Sequence, residues 1–283
     1  MRIAMLTPAP DYGVPHDWAF TIQADALRDA GADFTALPWT DAGDLSGFDL
    51  ILPLVTWGYH IKFDRWMSFL DQLEQQCLPV QNAPAVLRWN SDKAYLAELG
   101  RKGVPVVPTL AVDHLNEAAL AAAAGVLGTD DLVVKPPVSA SAWGTFKLHG
   151  QDRIPTDVHG RRMLIQPYLP SVTQAGEYSL IFFGGELSHC IVKQPKAGDF
   201  RVQPEWGGTN RQVEPPAGAL AIAGAALAHV PGETTYARVD LLVGKDDALQ
   251  VIELELIEPA LFLHCVPAAK ARFAEAVLAR ARG

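Results

Sequence analysis

Tyr236-Ala-Arg238-Val-Asp240, followed by Val251-Ile-Glu253-Leu-Glu255-Leu-Ile-Glu258-Pro259, decides how the chain is read. The two segments form strands, Tyr236–Val243 and Leu249–Ile257, joined as a hairpin across Gly244–Ala248. Residues two apart on a strand share a face. Glu253 and Glu255 therefore point one way, while Ile252, Leu254 and Leu256 point into apolar surroundings. The hairpin can bring Asp240 alongside the two glutamates. Three carboxylates on one sheet face repel one another unless a cation sits between them. Hard oxygen ligands suit magnesium, which takes one or two carboxylates together with nucleotide phosphates. A solvated acidic sheet face has the same alternation, and the hairpin alone does not separate the two readings.

Working outward, Tyr178–Phe183 and Glu186–Val192 are strands joined by Gly184-Gly185, a hairpin signal, and Ala217–His229 has helical preference. Upstream, Asn90 or Ser91 caps a helix over Asp92–Gly100. Val106–Val112 is a strand, Ala118–Leu127 a helix, and Leu132–Lys135 an apolar strand ending in lysine. A loop of small residues, Ser139–Thr145, precedes a strand at Leu164–Tyr168. At the N-terminus, strands Met1–Thr7, Asp33–Leu37 and Leu50–Val55 alternate with helices Phe20–Ala30 and Phe63–Gln76. That alternation predicts an open parallel α/β sheet, which binds ligands at the carboxyl ends of its strands. The loops Thr7–Asp11 and Thr56–His60 follow its first and third strands.

Several basic and small residues could serve a phosphate ligand. Lys93 is placed in a helical first turn, and Lys135 precedes the Ser139–Thr145 loop. Lysine binds phosphate as a mobile point charge, and a small-residue loop brings backbone N–H groups close to phosphate oxygens. Lys193-Gln-Pro-Lys196 leads to Arg201, which could clamp a transferring phosphoryl group. The pair Gly207-Gly208 beyond it could offer backbone donors to a developing oxyanion. Each of these features, taken singly, also fits an ordinary surface residue or turn.

The chain has 283 residues, 49% of them hydrophobic, and a formal net charge of −9. Its apolar fraction excludes a disordered chain. The acidic balance speaks against a nucleic-acid binder. No apolar run approaches the ~18 residues of a membrane span. Cys77, Cys190 and Cys265 lack metal spacing and read as reduced thiols of a cytoplasmic protein. Thr7-Pro-Ala-Pro-Asp11 is the wrong chemistry for a dinucleotide fingerprint.

In this order, the pieces resemble the ATP-grasp superfamily of carboxylate–amine ligases, in its glutathione-synthetase-like branch, from about Gln81 to the C-terminus. Within it the chain is most similar to a group that includes D-cycloserine synthetase (O-ureido-serine cyclo-ligase), an activity of antibiotic biosynthesis. That likeness lies in Thr56–Tyr59, Tyr236–Leu241 and Glu253–Leu263. The resemblance implies an α/β (α+β) ATP-grasp fold with an N-terminal open parallel α/β domain (1–88). A central and lid subdomain (89–168) and a C-terminal metal- and substrate-binding subdomain (169–283) would then grip ATP between them. It implies ATP and Mg2+ (two ions, with Mn2+ as a substitute) as cofactors, with Asp240, Glu253 and Glu255 as metal ligands. Glu255 stands where Asn is commonest in the superfamily, and Gly58 where members of the closer group carry Asp. Lys93 and Lys135 match the phosphate lysines, and Ser139, Ser141 and Gly144 belong to the loop that closes over them. Gln166 and Tyr168 match the hinge beside adenine, and Glu177 the ribose contact. Lys193 and Arg201 match basic positions near the transferred phosphate. Substrate candidates between the N-terminal strand ends and the C-terminal sheet are Asp11, Trp57, Tyr59, His60, Trp206, Gly207, Gly208 and Asn210. His264 reads as structural.

The implied reaction joins a carboxylate of a small amino-acid-like substrate to an amine through an acyl phosphate. Ring closure and dipeptide formation share that intermediate. A regulatory protein that binds ATP without chemistry would be expected to have lost a carboxylate or Arg201, and both are present. Many relatives are homo-oligomers, so that state is open to this chain too.

Overall fold

The computed structural model describes residues 1–203 and 206–280. Strand β1 (Arg2–Thr7) lies parallel between β2 (Asp33–Pro38) and β3 (Leu50–Leu52). Its alternate residues are buried on opposite faces, as expected of a parallel strand covered on both sides. Ile3 and Met5 pack with Leu27 of helix α1 (Asp17–Asp29) and with Phe273 and Val277 of the C-terminal helix (Ala269–Arg280). Ala4 and Leu6 pack with Trp66, Leu70 and Leu73 of α2 (Phe63–Gln75). The strand ends reach a cavity, described below, through Tyr12 and Trp57.

The helix expected over Asp92–Gly100 starts later, as α4 (Tyr95–Arg101), and a separate short helix, α3 (Pro84–Asn90), precedes it. Pro84 occupies the first turn of α3, where its missing N–H costs nothing. Asn90 ends α3 rather than capping a helix. Its amide donates to the Leu254 carbonyl at 2.9 Å and accepts from Leu256 N–H at 2.8 Å. Asp92 accepts from Ala94 N–H at 2.9 Å in the turn before α4, which no side chain caps. Lys93 therefore sits in the connection between the helices, and its own N–H donates to the Pro137 carbonyl at 2.8 Å.

An antiparallel four-stranded sheet follows, in the order β4 (Leu110–Val112), β7 (Met163–Pro167), β5 (Asp131–Lys135), β6 (Phe146–His149). Helix α5 (Glu117–Leu127) packs on it, capped by the Asn116 side chain and closed by Gly128 at φ +65°. The strand expected over Val106–Val112 is shorter, with Val106 pairing singly with Val251. Strand β6 was not anticipated, being only four residues long.

The last sheet is five-stranded and antiparallel, ordered β10 (Thr209–Val213), β9 (Glu186–Gln194), β8 (Glu177–Phe183), β11 (Tyr236–Val243), β12 (Leu249–Glu255). Gly184 and Gly185, at φ +59° and +85°, make the expected tight turn between β8 and β9. Asn82 ties this sheet to the N-terminal unit: it donates to the carbonyls of Tyr236 and Leu256 and accepts from Thr235 N–H at 2.7 Å.

Pairing of β11 with β12 shifts between Asp240, opposite Glu253, and Leu241, opposite Val251. Ile252 is the extra residue of this bulge, so strict alternation fails there. Val251, Leu254 and Leu256 enter the core, whereas Ile252 turns to the cavity beside Glu253. The expectation that Ile252 shares the face of Leu254 and Leu256 is corrected accordingly.

Candidate active site

A cavity of about 560 Å³ opens between the three sheets. At one end, Leu169, Val172, Val202 and Leu242 form an apolar slot with Tyr168, Phe200 and Ile252 against it. Tyr168 is held edge-on to Phe200 with Lys147 Nζ 3.6 Å from its ring centre. Gln166, buried on β7, lines the same end and donates to Thr109 Oγ1 at 2.8 Å. A flat apolar base fits such a slot, with polar atoms at its edge fixing its orientation.

Lys93 and Lys135, both buried, project into the middle of the cavity. Lys93 Nζ lies 3.2 Å from Glu253 and donates to the Ser139 carbonyl. Burial lowers the pKa of Lys135. Ser139 and Ser141 line the cavity. Gly144 does not, and it serves the loop's turn instead. It adopts φ +67°, and a Cβ there would come within 2.9 Å of Pro136.

A buried ion network forms the floor. Lys193 bridges Glu177 and Asp240, the latter at 3.0 Å, and Arg238 bonds Asp240 through Nε at 3.0 Å and Nη2 at 2.9 Å. Arg238 also pairs with Glu255, and Ser179 donates to Asp240. Burial pushes the Asp240 carboxyl up, but the charges of Arg238 and Lys193 outweigh it and hold the pKa well below the usual range. Glu177 and Glu255 behave oppositely: burial pushes each up to about 7 against the pull of its cation. Glu258 is pushed up to about 8 by burial and by the charge of Glu255.

Residues 3–82 match the family described as D-cycloserine synthetase DcsG, N-terminal domain. Across 302 aligned residues the chain is 30% identical to the cycloserine biosynthesis protein DcsG of Streptomyces lavendulae, covering 98% of each. The chain belongs to the D-cycloserine synthetase family of ATP-grasp ligases. The crystal structure of D-cycloserine synthetase DcsG superposes with a TM-score of 0.87 at 27% identity, over 99% of this chain and 100% of that one. A D-alanine–D-alanine ligase from Bacillus anthracis shares the fold, with a TM-score of 0.71 at 17% identity, over 100% of this chain and 97% of that one.

In this ATP-grasp ligase the expected site residues divide into two groups. Lys93, Lys135, Ser139, Ser141, Gln166, Tyr168, Glu177, Lys193, Arg201, Glu253 and Glu255 all line the cavity, as do Trp57, Tyr59 and Asn210. The Oδ1 atom of Asn210 is buried without a partner. Asp240 does not join Glu253 and Glu255 at the wall; it lies beneath, 2% exposed, engaged by Arg238, Lys193 and Ser179. Among the described residues, no three His, Cys, Asp or Glu side chains are grouped to hold a metal by themselves. Glu253 and Glu255 nonetheless fit a divalent cation that completes its shell with phosphate oxygens and water. Of the two, Glu255 has its carboxyl raised by burial and by the neighbouring charges of Glu253 and Asp240.

Other expected residues lie off the cavity. Asp11 is exposed and pairs with Lys62 at 2.7 Å on the surface. His60 packs 5.8 Å from the loop residue Trp143, and burial lowers its pKa to about 4, so the ring is neutral. Trp206 is exposed and stacks under the Arg201 guanidinium at 3.4 Å. Gly207 takes φ +82°, and a Cβ on Gly208 would lie 2.0 Å from the Val202 carbonyl oxygen, so this pair serves a tight turn. Arg201 itself is gripped by Asp199 at 2.7 and 3.0 Å.

Sequence reasoning passed over Arg238, Glu258, Tyr12, Trp18 and Phe262, and it took the cavity-lining His264 as structural. Arg238 carries a readable signal, since it lies two residues before Asp240 and therefore on the same strand face. The aromatic residues come from segments far apart and carry none.

Proposed function

We propose that the chain is a cytoplasmic, magnesium-dependent ligase that activates the carboxylate of an amino-acid-like substrate and closes it onto a nitrogen of the same molecule. The observation that carries this is one cavity joining an apolar base slot, two buried lysines and the Glu253–Glu255 wall, in a chain similar over its full length to the cycloserine biosynthesis protein. The free thiols of Cys77, Cys190 and Cys265 fit a reducing compartment.

In this reading, the slot around Tyr168 and Gln166 takes adenine, and Glu177 faces the ribose. Lys93 and Lys135 bind phosphate oxygens, Lys135 with its charge made more effective by low dielectric. Glu253 and Glu255 would hold magnesium, one ion or two, with manganese as a substitute; it supplies charge neutralisation on the phosphates. Arg238 and Lys193 keep Asp240 ionised and set the field beneath the reacting groups. A substrate carboxylate oxygen bonds the γ-phosphorus while the bond to the ADP oxygen breaks. The substrate nitrogen then attacks the acyl carbon, phosphate departs with the electron pair of the anhydride's acyl C–O bond, and the nitrogen loses its proton to solvent or phosphate. Ser139, Ser141 and Trp143 close the loop over the site and exclude the water that would hydrolyse the acyl phosphate. Arg201 reaches the phosphoryl group only by leaving Asp199.

Phosphate release from ATP with magnesium, screened over L- and D-amino acids and O-ureido-serine, tests the reading. Stimulation by one compound is expected, with a cyclised product by mass spectrometry. A linear dipeptide product would replace cyclisation by intermolecular ligation. No ATP binding would refute the reading.

A further inference from the structure

Strand β12 is the edge of the five-stranded sheet, so the N–H and C=O groups along its outer side take partners from elsewhere. Those of Val251 pair with backbone: its N–H donates to the Pro105 carbonyl and its carbonyl accepts from Val107 N–H, each at 2.9 Å. Past the bulge, where Glu253 and Glu255 stand, the partners are side chains. The Tyr95 hydroxyl accepts from Leu254 N–H at 2.7 Å and donates to the Leu254 carbonyl at 2.9 Å. The Asn90 amide donates to the same carbonyl at 2.9 Å and accepts from Leu256 N–H at 2.8 Å. Both side chains are buried.

The placement of these bonds is specific to the two glutamates. Leu254 N–H belongs to the peptide that follows Glu253, and the Leu254 carbonyl to the peptide that precedes Glu255. One hydroxyl therefore grips a peptide unit beside each carboxylate. Asn90 brackets Glu255, holding the peptide on either side of it. The segment that joins Asn90 to Tyr95 carries Lys93, whose Nζ lies 3.2 Å from Glu253. That segment is anchored in turn, with buried Ser91 accepting from Trp66 Nε1 at 2.9 Å and Lys93 N–H donating to the Pro137 carbonyl at 2.8 Å. Groups that share a ligand must be held to within about 0.5 Å, and an edge strand with unpartnered peptides does not supply that precision.

We propose that Tyr95 and Asn90 are positioning residues for the divalent cation: they hold the backbone of Glu253 and Glu255 so that both carboxylates face the ion bound with nucleotide. This rests on the ligase reading, which makes those glutamates the ligands of the cation. Each residue acts through the strand and not on the ion itself. Side-chain partners replace a neighbouring strand here, and that leaves room for Lys93 to enter the site between them. The stretch Asn90–Tyr95 thus sets the phosphate lysine and the cation carboxylates together, so their spacing is fixed by one local structure although the groups lie 160 or more residues apart in sequence.

The test titrates MnCl2 into the full-length protein with ATP present and reads free Mn2+ from its electron paramagnetic resonance signal. Tyr95→Phe removes only the hydroxyl and keeps the ring, which stacks 4.7 Å from Trp89 in the core. It should weaken Mn2+ binding by about tenfold, the loss that follows when the support of a metal ligand is removed. Asn90→Leu should weaken it at least as much; should that variant not fold, Tyr95→Phe decides alone. Asn116→Ala is the control for loss of stability, since it removes the cap of α5 far from β12, and it should bind Mn2+ as the wild type does. Wild-type Mn2+ affinity in folded Tyr95→Phe, or an equal loss in Asn116→Ala, would overturn the positioning role and leave the ligase reading standing. A wild type that takes up no Mn2+ with ATP, or a Glu253→Ala variant that takes it up undiminished, would overturn the cation assignment and this proposal with it.

Discussion

Lys193→Met removes one charge from the buried network while keeping the side chain's length, and its cost should depend on pH in a direction that the structure fixes. Lys193 is 5% exposed and bridges Glu177 and Asp240. Breaking a buried pair by removing one partner costs about 3–5 kcal/mol, because the remaining charge is uncompensated. Asp240 keeps Arg238 and Ser179, so the burden falls on Glu177. That carboxyl titrates near 7 with Lys193 present, far above an ordinary glutamate. Without Lys193 it moves higher still. Below pH 6 it is protonated in both proteins, and only lost hydrogen bonds remain, about 1–2 kcal/mol. Above pH 7 the wild-type carboxylate is ionised and paired, whereas the variant must keep the proton that its unfolded chain releases. The gap then widens by up to about 1.4 kcal/mol per pH unit until the variant's own pKa is passed. At about 2 °C per kcal/mol for a chain of this size, melting of ligand-free protein should differ by about 2–4 °C at pH 6 and about 6 °C or more at pH 8.5. A gap that is constant or shrinks with pH would refute this account. It would mean that Lys193 stands free for phosphate and is not committed to Glu177.

Glu253→Ala should leave the fold intact and reduce ATP turnover by about a thousandfold, in line with the several kcal/mol a phosphate-bridging metal supplies; near-normal turnover removes Glu253 from the metal site. Glu255 and Glu258 titrate near 7 and 8 when folded, so the ligand-free native state holds protons that the unfolded chain loses above pH 4.5. Stability should therefore fall as pH rises from about 5 to 8, and magnesium with nucleotide should release protons on binding, read calorimetrically in buffers of differing ionisation heat. Gly58 adopts φ +84° with the Tyr12 ring in the space where a Cβ would lie, 2.5 Å away. Gly58→Ala should cost about 1–2 kcal/mol from the backbone alone and shift Tyr12 out of the cavity, raising KM more than it lowers kcat.

The fold was legible wherever local chemistry and tertiary packing agree. The Gly184-Gly185 turn and the doubly buried β1 needed nothing beyond turn preference and apolar pattern. Asn90 was misread because asparagine is a good helix cap, yet here its amide is spent on the Leu254 and Leu256 backbone, a contact 164 and 166 residues away in sequence. The neglected local signal was Pro84, which marks the start of the helix that Asn90 ends. That Lys93, Lys135, Glu253 and Glu255 share one site was legible from residue type and order, and all four line the cavity. The aromatic lining was not, because Trp18, Trp57 and Phe262 meet only after three separate segments have folded.

Asp240 marks where same-face reasoning stops. The hairpin correctly put Asp240 beside Glu253, and their backbone pairing is direct. Proximity does not say which cation a carboxylate takes. Arg238 shares its face too, and Lys193 reaches it from β9, so Asp240 has its positive partners within the protein. Glu253, at the cavity edge, shares Lys93 with the Ser139 carbonyl and keeps an open side. Two carboxylates of similar spacing thus differ in setting: Asp240 is neutralised from below by Arg238 and Lys193, and Glu253 lines the cavity. That division depends on the bulge at Ile252, which shifts the strand's phase at Glu253 and which no count of residues along β12 would have located.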